Sequence, residues 1–498
     1  MDLLKLQNGS DIRGVALPGV PGENVNLTEE AVEAIAGGFV RWLRARVPEG
    51  TKLRISIGRD SRLSGPALSE ALGAALARAG AEVTDLGLAT TPAMFMSTVT
   101  PRYKFTAAVM ITASHLPWNR NGLKFFTARG GAESADIREI LTLAGEAFPA
   151  AAVPGKRKKG RFMDRYAAFL RKKITDAAGR ARPLTGLRIV VDAGNGAGGF
   201  FVSQVLQPLG ADTTGSRFLT PNGRFPNHVP NPELPEAMES IRSAVLDNHA
   251  NFGIIFDTDV DRAGAVLQNG EELNRNRLIA LISAILLREH PGTAIVTDSI
   301  TSTGLASFIA EKGGIHRRFR RGYRNVINEA IRLNREGVDC QLAIETSGHA
   351  ALKENWFLDD GAYLITRLLM ELACGRNLET LIWGLPEPVE GREFRLGITD
   401  PDFKTRGQAV LDALSAYARD REGWTEAPDN CEGVRCSLDG SHGDGWFLLR
   451  LSLHEPILPL NIESDSPGGL RQIAGELAPF LETAEGIDAS PLLDYLKQ

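Results

Sequence analysis

The chain has 498 residues, 43% of them hydrophobic and 23% charged, with a formal net charge of −5. At roughly 150 residues per domain that length predicts three or four globular domains, and the mild acidity argues against a nucleic-acid scaffold while leaving room for a locally basic cleft. The four cysteines (Cys340, Cys374, Cys431, Cys436) form no CxxC pair or zinc spacing, which fits a reducing compartment. No apolar run reaches the ~18 residues of a membrane span, and Met1–Lys5 lacks a signal-peptide layout.

In chain order, residues 8–14 (NGSDIRG) predict a tight glycine loop presenting Arg13. An arginine so placed suits bidentate phosphate contact; a solvated surface arginine is the alternative. Residues 26–30 open a helix with Thr28 as cap. Residues 53–57 predict a strand that ends in the loop 58–65, a helix starts at Pro66, and residues 83–87 predict another strand. Strands alternating with helices indicate parallel βαβ units, whose function lies in loops at the carboxyl ends of strands.

Residues 107–111 (AAVMI) predict a buried strand that delivers Thr112, Ala113, Ser114 and His115 into a loop. A hydroxyl nucleophile beside an imidazole at such a strand end is a place for chemistry, and Lys124 returns ten residues after the serine. A surface turn that happens to contain Ser-His is the alternative. The basic run Lys156-Arg157-Lys158-Lys159 predicts a solvated linker, followed by a helix over 164–178.

Residues 187–191 predict a strand that opens a second strand–loop–helix unit, running into the glycine cluster 192–199. That cluster suits either a phosphate cradle or close helix–strand packing. Residues 252–256 predict a buried strand ending in Asp257-Thr258-Asp259-Val260-Asp261-Arg262. Three alternating carboxylates repel one another strongly. A hard divalent cation relieves that repulsion, and oxygen-only ligands point to Mg²⁺. An EF-hand is excluded because its sixth position would be Arg262 and its twelfth Gln268.

Residues 293–297 and 340–344 predict further strands. Between them, residues 316–324 carry five arginines, a solvated basic face or positive charge near an anion site. Residues 345–349 then present Glu345, Ser347 and His349, the mixed donor and acceptor set that sugar hydroxyls need. Asp359-Asp360-Gly361 starts a helix with Leu364, Leu368 and Leu372 on one face. Beyond Pro386–Pro388, residues 430–435, 446–450 and 457–462 predict antiparallel strands, and Pro467-Gly468-Gly469 precedes a last long helix pattern.

Together these motifs resemble the α-D-phosphohexomutase superfamily, the phosphoglucomutase and phosphomannomutase enzymes. The carriers are T-A-S-H-x-P with N-G-x-K, D-x-D-x-D-R, E-x-S-G-H, and the stretch 225–233 (FPNHVPNPE), in this order along nearly the whole chain. The resemblance implies an α/β fold: three related mixed α/β domains (1–155, 156–268, 269–386) and a smaller C-terminal α+β domain (387–498) around a central active-site cleft.

It further implies that Ser114 carries a phosphoryl group, supported by Arg13 and His115, and that Asp257, Asp259, Asp261 and a phosphoserine oxygen of Ser114 hold Mg²⁺. Lys124 and His349 take the positions of proton carriers. Glu345 and Ser347 read sugar hydroxyls, Arg324 joins the substrate contacts, and Arg450 and Ser452 match the distal phosphate clamp. In that clamp Leu453 and His454 depart from the family's R-x-S-G/N-T-x-P, which implies altered geometry with His454 as a titratable phosphate contact.

The implied activity is a Mg²⁺-dependent mutase that interconverts hexose 1- and 6-phosphates and is activated by a sugar 1,6-bisphosphate. A bisphosphate synthase using another phosphoryl donor, and a non-catalytic sugar-phosphate sensor, are the alternatives. The expected partner is a small-molecule sugar phosphate, with no nucleic acid and no membrane. Cytoplasm is the expected location, or plastid stroma if a transit peptide is removed.

Overall fold

The computed structural model describes every residue except Met1, Asp429, Leu453 and His454. The chain divides into two compact units, residues 1–278 with 347–381, and residues 279–346 with 382–498. None of the helices among the described residues is long and apolar enough to cross a membrane.

In the first unit an eight-stranded mixed sheet runs in the order Gln7–Asn8, Asp11–Val15, Arg120–Thr127, Ala107–Ile111, Arg54–Arg59, Glu82–Leu88, Arg157–Lys159, with Gly130–Gly131 also paired to Arg120–Thr127. Strands Ala107–Ile111, Arg54–Arg59 and Glu82–Leu88 are parallel, while Arg120–Thr127 returns antiparallel. That return sets Lys124 opposite Met110, close to where the Ser114 loop begins. Helices Glu29–Arg44, Gly65–Arg78 and Ser134–Leu143 contribute to one apolar core with this sheet. Thr28 caps the first of them, its hydroxyl accepting from Ala31 N–H.

Two expectations are corrected by this sheet. Arg13 lies within the strand Asp11–Val15, paired with Gly122, and not in a glycine turn. The turn is made by Gly9, at φ +59, so the chain reverses before Arg13. The basic run is an edge strand: Arg157–Lys159 pairs parallel with Val83–Asp85 while its side chains stay exposed. Charged edge strands of this kind resist further pairing, and composition alone does not separate one from a linker.

A second sheet in this unit has the order Ile189–Asp192, Phe252–Phe256, Ala263–Leu267, Glu272–Leu273, the first pair parallel and the rest antiparallel. Helix Pro235–Asp247 packs on it, and a π-helical turn at Phe201–Leu206 lies between strand Ile189–Asp192 and helix Met163–Ala178. Helix Gly361–Ala373 packs on Met163–Ala178 and on strand Ala263–Leu267. Leu364 and Leu368 are fully buried, and Leu372 is half-buried at the margin. Burying each leucine stabilises by about 1.5–3 kcal/mol.

In the second unit Ala294–Asp298 is flanked by Ile315–Phe319 and Cys340–Ile344, all parallel. The C-terminal sheet is antiparallel, in the order Trp424–Glu426, Val434–Leu438, Gly445–Leu449, Ile457–Ser464, Glu390–Ile398, Ile487–Asp488. Helices Phe403–Arg419, Gly469–Thr483 and Ser490–Lys497 cover it. The strand expected over 430–435 begins later, at Val434. Asn430 Nδ2 donates to Gly433 O at 2.9 Å and Gly433 sits at φ +60, so the segment before Val434 is a turn.

Candidate active site

Strand Ala107–Ile111 is buried along its whole length and leads into Thr112–Ser114. Ser114 is 2% exposed and sits at φ +50, a region unfavourable for a residue bearing a Cβ. Its hydroxyl donates to Asp257 Oδ2 at 3.0 Å and receives Arg262 Nη2 at 3.3 Å. His115 Nδ1 is farther away, at 3.4 Å. The adjacent imidazole is thus a weaker partner of the serine than the aspartate loop.

That loop joins the antiparallel strands Phe252–Phe256 and Ala263–Leu267. Asp257, Asp259 and Asp261 have no exposed surface, and one oxygen from each lies within 4.8 Å of the others. Val260 between them is at φ +66, a true outlier for a β-branched residue. It is held by Gly361 N–H, which donates to Val260 O at 3.2 Å. A Cβ on Gly361 would stand 2.6 Å from the backbone carbon of Arg262, so only glycine permits that approach. Thr91 supports the loop from the start of helix Thr91–Val99: its N–H donates to Asp259 O at 2.9 Å and its hydroxyl to Asp259 Oδ2.

The charges around the loop explain its state. Burial, then Asp261 and Asp259, push Asp257 well above the usual carboxylate range. Burial also acts against Asp261, but Lys124, His349 and Arg262 outweigh it and hold that carboxyl well below the usual range. Lys124 Nζ donates to Asp261 Oδ2 at 2.6 Å and stands 3.7 Å from Asp259. Asp259 Oδ1 and Asp261 Oδ1 are buried with no hydrogen-bond partner among the described residues. Three buried carboxylates with two orphaned oxygens are a donor set that fits a hard divalent cation.

The two histidines differ in charge state. His115 is held well below its ordinary value by the Arg262 guanidinium, by burial and by Arg13, so it is neutral at pH 7. Burial acts against charge on His349 too, yet Asp359 and Asp261 push it up to about 9. Its Nδ1 is 2.6 Å from Asp359 Oδ2, and the same reach brings Asp261, His349 and Asp359 together.

The two motifs whose use was open in the sequence converge behind this loop. Ala197 N–H donates to Thr258 O at 2.8 Å, and a Cβ on Gly196 would stand 2.6 Å from that oxygen. The glycine cluster is therefore packing. Asp192 accepts from Ser240 Oγ at 2.6 Å and lies 3.1 Å from His228 Nε2, anchoring the stretch 225–233. From that stretch Asn231 Oδ1 accepts Arg262 Nη1 at 3.1 Å, and Glu233 lies 3.4 Å away.

In the second unit Glu345 follows strand Cys340–Ile344, is 4% exposed, and accepts from Gly322 N–H at 2.5 Å. Thr346 binds Asp298 through its hydroxyl at 2.7 Å. Arg324 is in the first turn of helix Tyr323–Arg335. The basic run divides between uses: Arg318 is buried on the carbonyls of Thr301 and Ser302, and Arg317 pairs with Glu329. Arg450 ends the hairpin strand Gly445–Leu449 and is 8% exposed. Burial and the nearby Arg321 cation lower its pKa, a cost that an anion beside it would remove. Ser452 N–H donates to Ile457 O at 3.1 Å, and Ser452 Oγ accepts from Glu455 N–H at 3.3 Å. His454, expected as a phosphate contact, and Leu453 lie outside the described residues. Ser347 and His349 belong to the first unit, Glu345 to the second.

Sequence reasoning missed Thr91, Asp359 and Arg321, and gave Arg262 no role. Arg262 was legible, since it completes D-x-D-x-D-R. Asp359 was legible only as the start of a helix. Thr91 carries no local signal, because its partner Asp259 is 168 residues away.

Residues 5–147, 164–270 and 274–388 match the family models for phosphoglucomutase/phosphomannomutase alpha/beta/alpha domains I, II and III. A phosphomannomutase/phosphoglucomutase of Pseudomonas putida is 32% identical over 423 residues, 84% of this chain and 85% of that protein. A phosphoglucomutase of Neisseria gonorrhoeae is 31% identical over 479 residues, 95% of this chain and 96% of that one. A crystal structure of a phosphoglucomutase/phosphomannomutase family protein from Burkholderia thailandensis superposes with a TM-score of 0.79 at 27% identity, covering 97% of this chain and 98% of that one. With three family domains in order and a C-terminal β-rich domain behind them, the chain belongs to the phosphoglucomutase/phosphomannomutase family of the α-D-phosphohexomutase superfamily, and is a phosphohexomutase, an intramolecular phosphotransferase.

Proposed function

We propose that the protein interconverts hexose 1-phosphate and hexose 6-phosphate, with Ser114 as the phosphoryl carrier and a 1,6-bisphosphate as intermediate and activator. The observation that carries this is the Ser114 hydroxyl, buried and 3.0 Å from Asp257 beside two orphaned carboxylate oxygens. Asp257, Asp259 and Asp261 would hold Mg²⁺, with an oxygen of phosphorylated Ser114 as a further ligand. Bound there, the ion would supply neutralisation of phosphoryl charge.

The chain's own residues do the rest. Phosphoryl transfer needs positioning and charge neutralisation more than an unusual nucleophile. Arg262, fixed by Asp257, Asn231 and Glu233, reaches the Ser114 oxygen with its remaining nitrogen. Neutral His115 and Arg13 line the serine side. Lys124 and protonated His349 are the candidates for moving protons to and from the sugar hydroxyl and the serine. Glu345, Ser347 and Arg324 read the sugar, and Arg450 and Ser452 hold the phosphate that is not reacting. Residues 1–155, 156–268, 269–386 and 387–498 are proposed as the four functional domains. Relatives named for both phosphomannomutase and phosphoglucomutase make glucose and mannose phosphates the first substrates to test. The bacterial sources of those relatives favour the cytoplasm.

The test is ³¹P NMR of the Mg²⁺-loaded protein with glucose 1-phosphate or mannose 1-phosphate, with and without trace 1,6-bisphosphate. Bisphosphate-dependent 6-phosphate formation is expected, and Ser114→Ala should abolish it. Bisphosphate that accumulates from a second donor without isomerisation would replace the mutase with a synthase.

A further inference from the structure

The loop after strand Arg54–Arg59 has no part in the chemistry above, yet it contains a fully buried ion pair. Arg62 Nε is 3.3 Å from Asp60 Oδ2, and both side chains have no exposed surface. The other two nitrogens of Arg62 are spent on four backbone carbonyls of the serine loop. Nη1 donates to Pro117 O at 2.7 Å and Arg120 O at 2.9 Å; Nη2 donates to Ser114 O and Leu116 O, both at 2.6 Å. Asp60 Oδ2 also accepts the Thr112 hydroxyl at 2.7 Å, and Asp60 Oδ1 accepts the Arg62 N–H at 2.8 Å. Thr112 Oγ1 in turn accepts the Ser114 N–H at 2.9 Å.

The backbone of Ser114 is thus gripped on both sides, its N–H by Thr112 and its carbonyl by Arg62. It is also the residue at φ +50. A serine released from those two bonds would relax toward negative φ, the region open to residues with a Cβ. That rotation swings Cβ, and with it the hydroxyl, away from Asp257. Phe225 lies over the Arg62 guanidinium, its ring centre 5.3 Å away, so the pair is sealed from solvent.

We propose that Arg62, by its direct bond to the Ser114 carbonyl and together with Thr112 and Asp60 on the N–H side, is a positioning residue that holds Ser114 in its left-handed conformation and so keeps the hydroxyl aimed at the aspartate loop. This role rests on the mutase reading for its consequence. A serine that gains and loses a phosphoryl group each turnover must present its oxygen at one place in both forms, and a rigid backbone does this without new contacts at each step. An arginine suits the task because its planar fork meets several carbonyls at once, which a lysine ammonium cannot do in the same geometry.

The test compares Arg62→Lys, Thr112→Val and Thr112→Ser in the Mg²⁺-loaded full chain. Arg62→Lys and Thr112→Val should lower kcat for glucose 1-phosphate on the order of 100-fold, with KM changed by no more than about threefold because the sugar contacts are untouched. Thr112→Ser, which keeps the hydroxyl, should restore most of kcat. Amide hydrogen exchange should quicken in peptides spanning residues 112–120 and stay unchanged over the strand Phe252–Phe256. Wild-type exchange at 112–120 in the first two variants would overturn the proposal, as would a kcat loss that Thr112→Ser shares. Should Arg62→Lys fail to fold, the near-isosteric Thr112 pair decides alone. A wild-type protein inert toward hexose phosphates would refute the mutase reading, while the exchange comparison still decides the positioning role.

Discussion

The Ser114 hydroxyl donates to Asp257 across 143 residues of chain, at 3.0 Å and out of contact with water. The candidate phosphoryl carrier and the candidate metal loop are therefore one hydrogen-bonded assembly within the first unit. Burial and its two neighbours raise Asp257 toward its neutral form, and it is the carboxylate that the serine touches.

Asp257→Ala should lower divalent-metal affinity by at least about 10-fold, since it removes one of three convergent ligands. Titration calorimetry with Mg²⁺ or Mn²⁺ reads this without any substrate. Ser114→Ala in the unphosphorylated protein should keep metal binding within a few-fold. Equal losses in both variants would show that the loop, and not its carboxylates, sets the affinity.

Asp359→Asn should return His349 toward its ordinary value. Burial opposes charge on the imidazole, and the Asp359 carboxylate does more than any other neighbour to raise it to about 9. In the metal-free protein, the His349 ring signals followed by NMR should titrate at lower pH in the variant. A histidine raised on folding contributes stability that is complete below about 6.5 and lost as pH rises through about 9, so Asp359→Asn should shrink that alkaline loss, with Asp261 keeping the remainder.

Gly361→Ala places a methyl 2.6 Å from the Arg262 backbone. Backbone cannot swing aside as a side chain can, so the helix start must retreat from Val260. A loss of about 1–3 kcal/mol is expected, measured by urea unfolding, together with weaker metal binding because the strained Val260 loses its restraint. Unchanged stability would mean that helix Gly361–Ala373 shifts freely.

Glu463 offers a pH test in the second unit. Burial pushes its carboxyl up to about 7 against the pull of Arg435, while Trp446 Nε1 donates to it at 3.0 Å. A carboxyl raised on folding stabilises fully below its unfolded value near 4.5, and the contribution fades as pH rises through 7. The whole effect is about 3 kcal/mol. Glu463→Gln keeps an acceptor for Trp446 and should flatten the decline in stability between pH 5 and pH 8, followed by chemical denaturation across that range. A variant with the wild-type slope would place the titration elsewhere.

Much of the site was legible because its motifs are contiguous. Thr112–Ser114 and the three aspartates each follow a strand end, where a short apolar run followed by polar residues can be seen without a structure, and Lys124 lies within the next strand at a fixed spacing from the serine. Arg13 was legible as a residue and misplaced as an element, since Gly9 and Gly14 look alike in sequence and only Gly9 has the left-handed backbone. The basic run 156–159 failed for a related reason: an exposed edge strand and a solvated linker share a composition. The glycine cluster 192–199 stood open between cradle and packing until Thr258 was seen against it.

By itself the sequence determined the order of α/β units, the residue types at each strand end, and the family, because those depend on local periodicity and on fixed spacings. Tertiary structure alone decided which groups meet. That Ser114 turns from His115 toward Asp257, that Thr91 braces Asp259, that Asp359 keeps His349 charged, and that Arg62 grips the serine loop depend on partners 10 to 168 residues apart. No local propensity encodes such pairs. They form because burying these charges together costs less than burying any one alone.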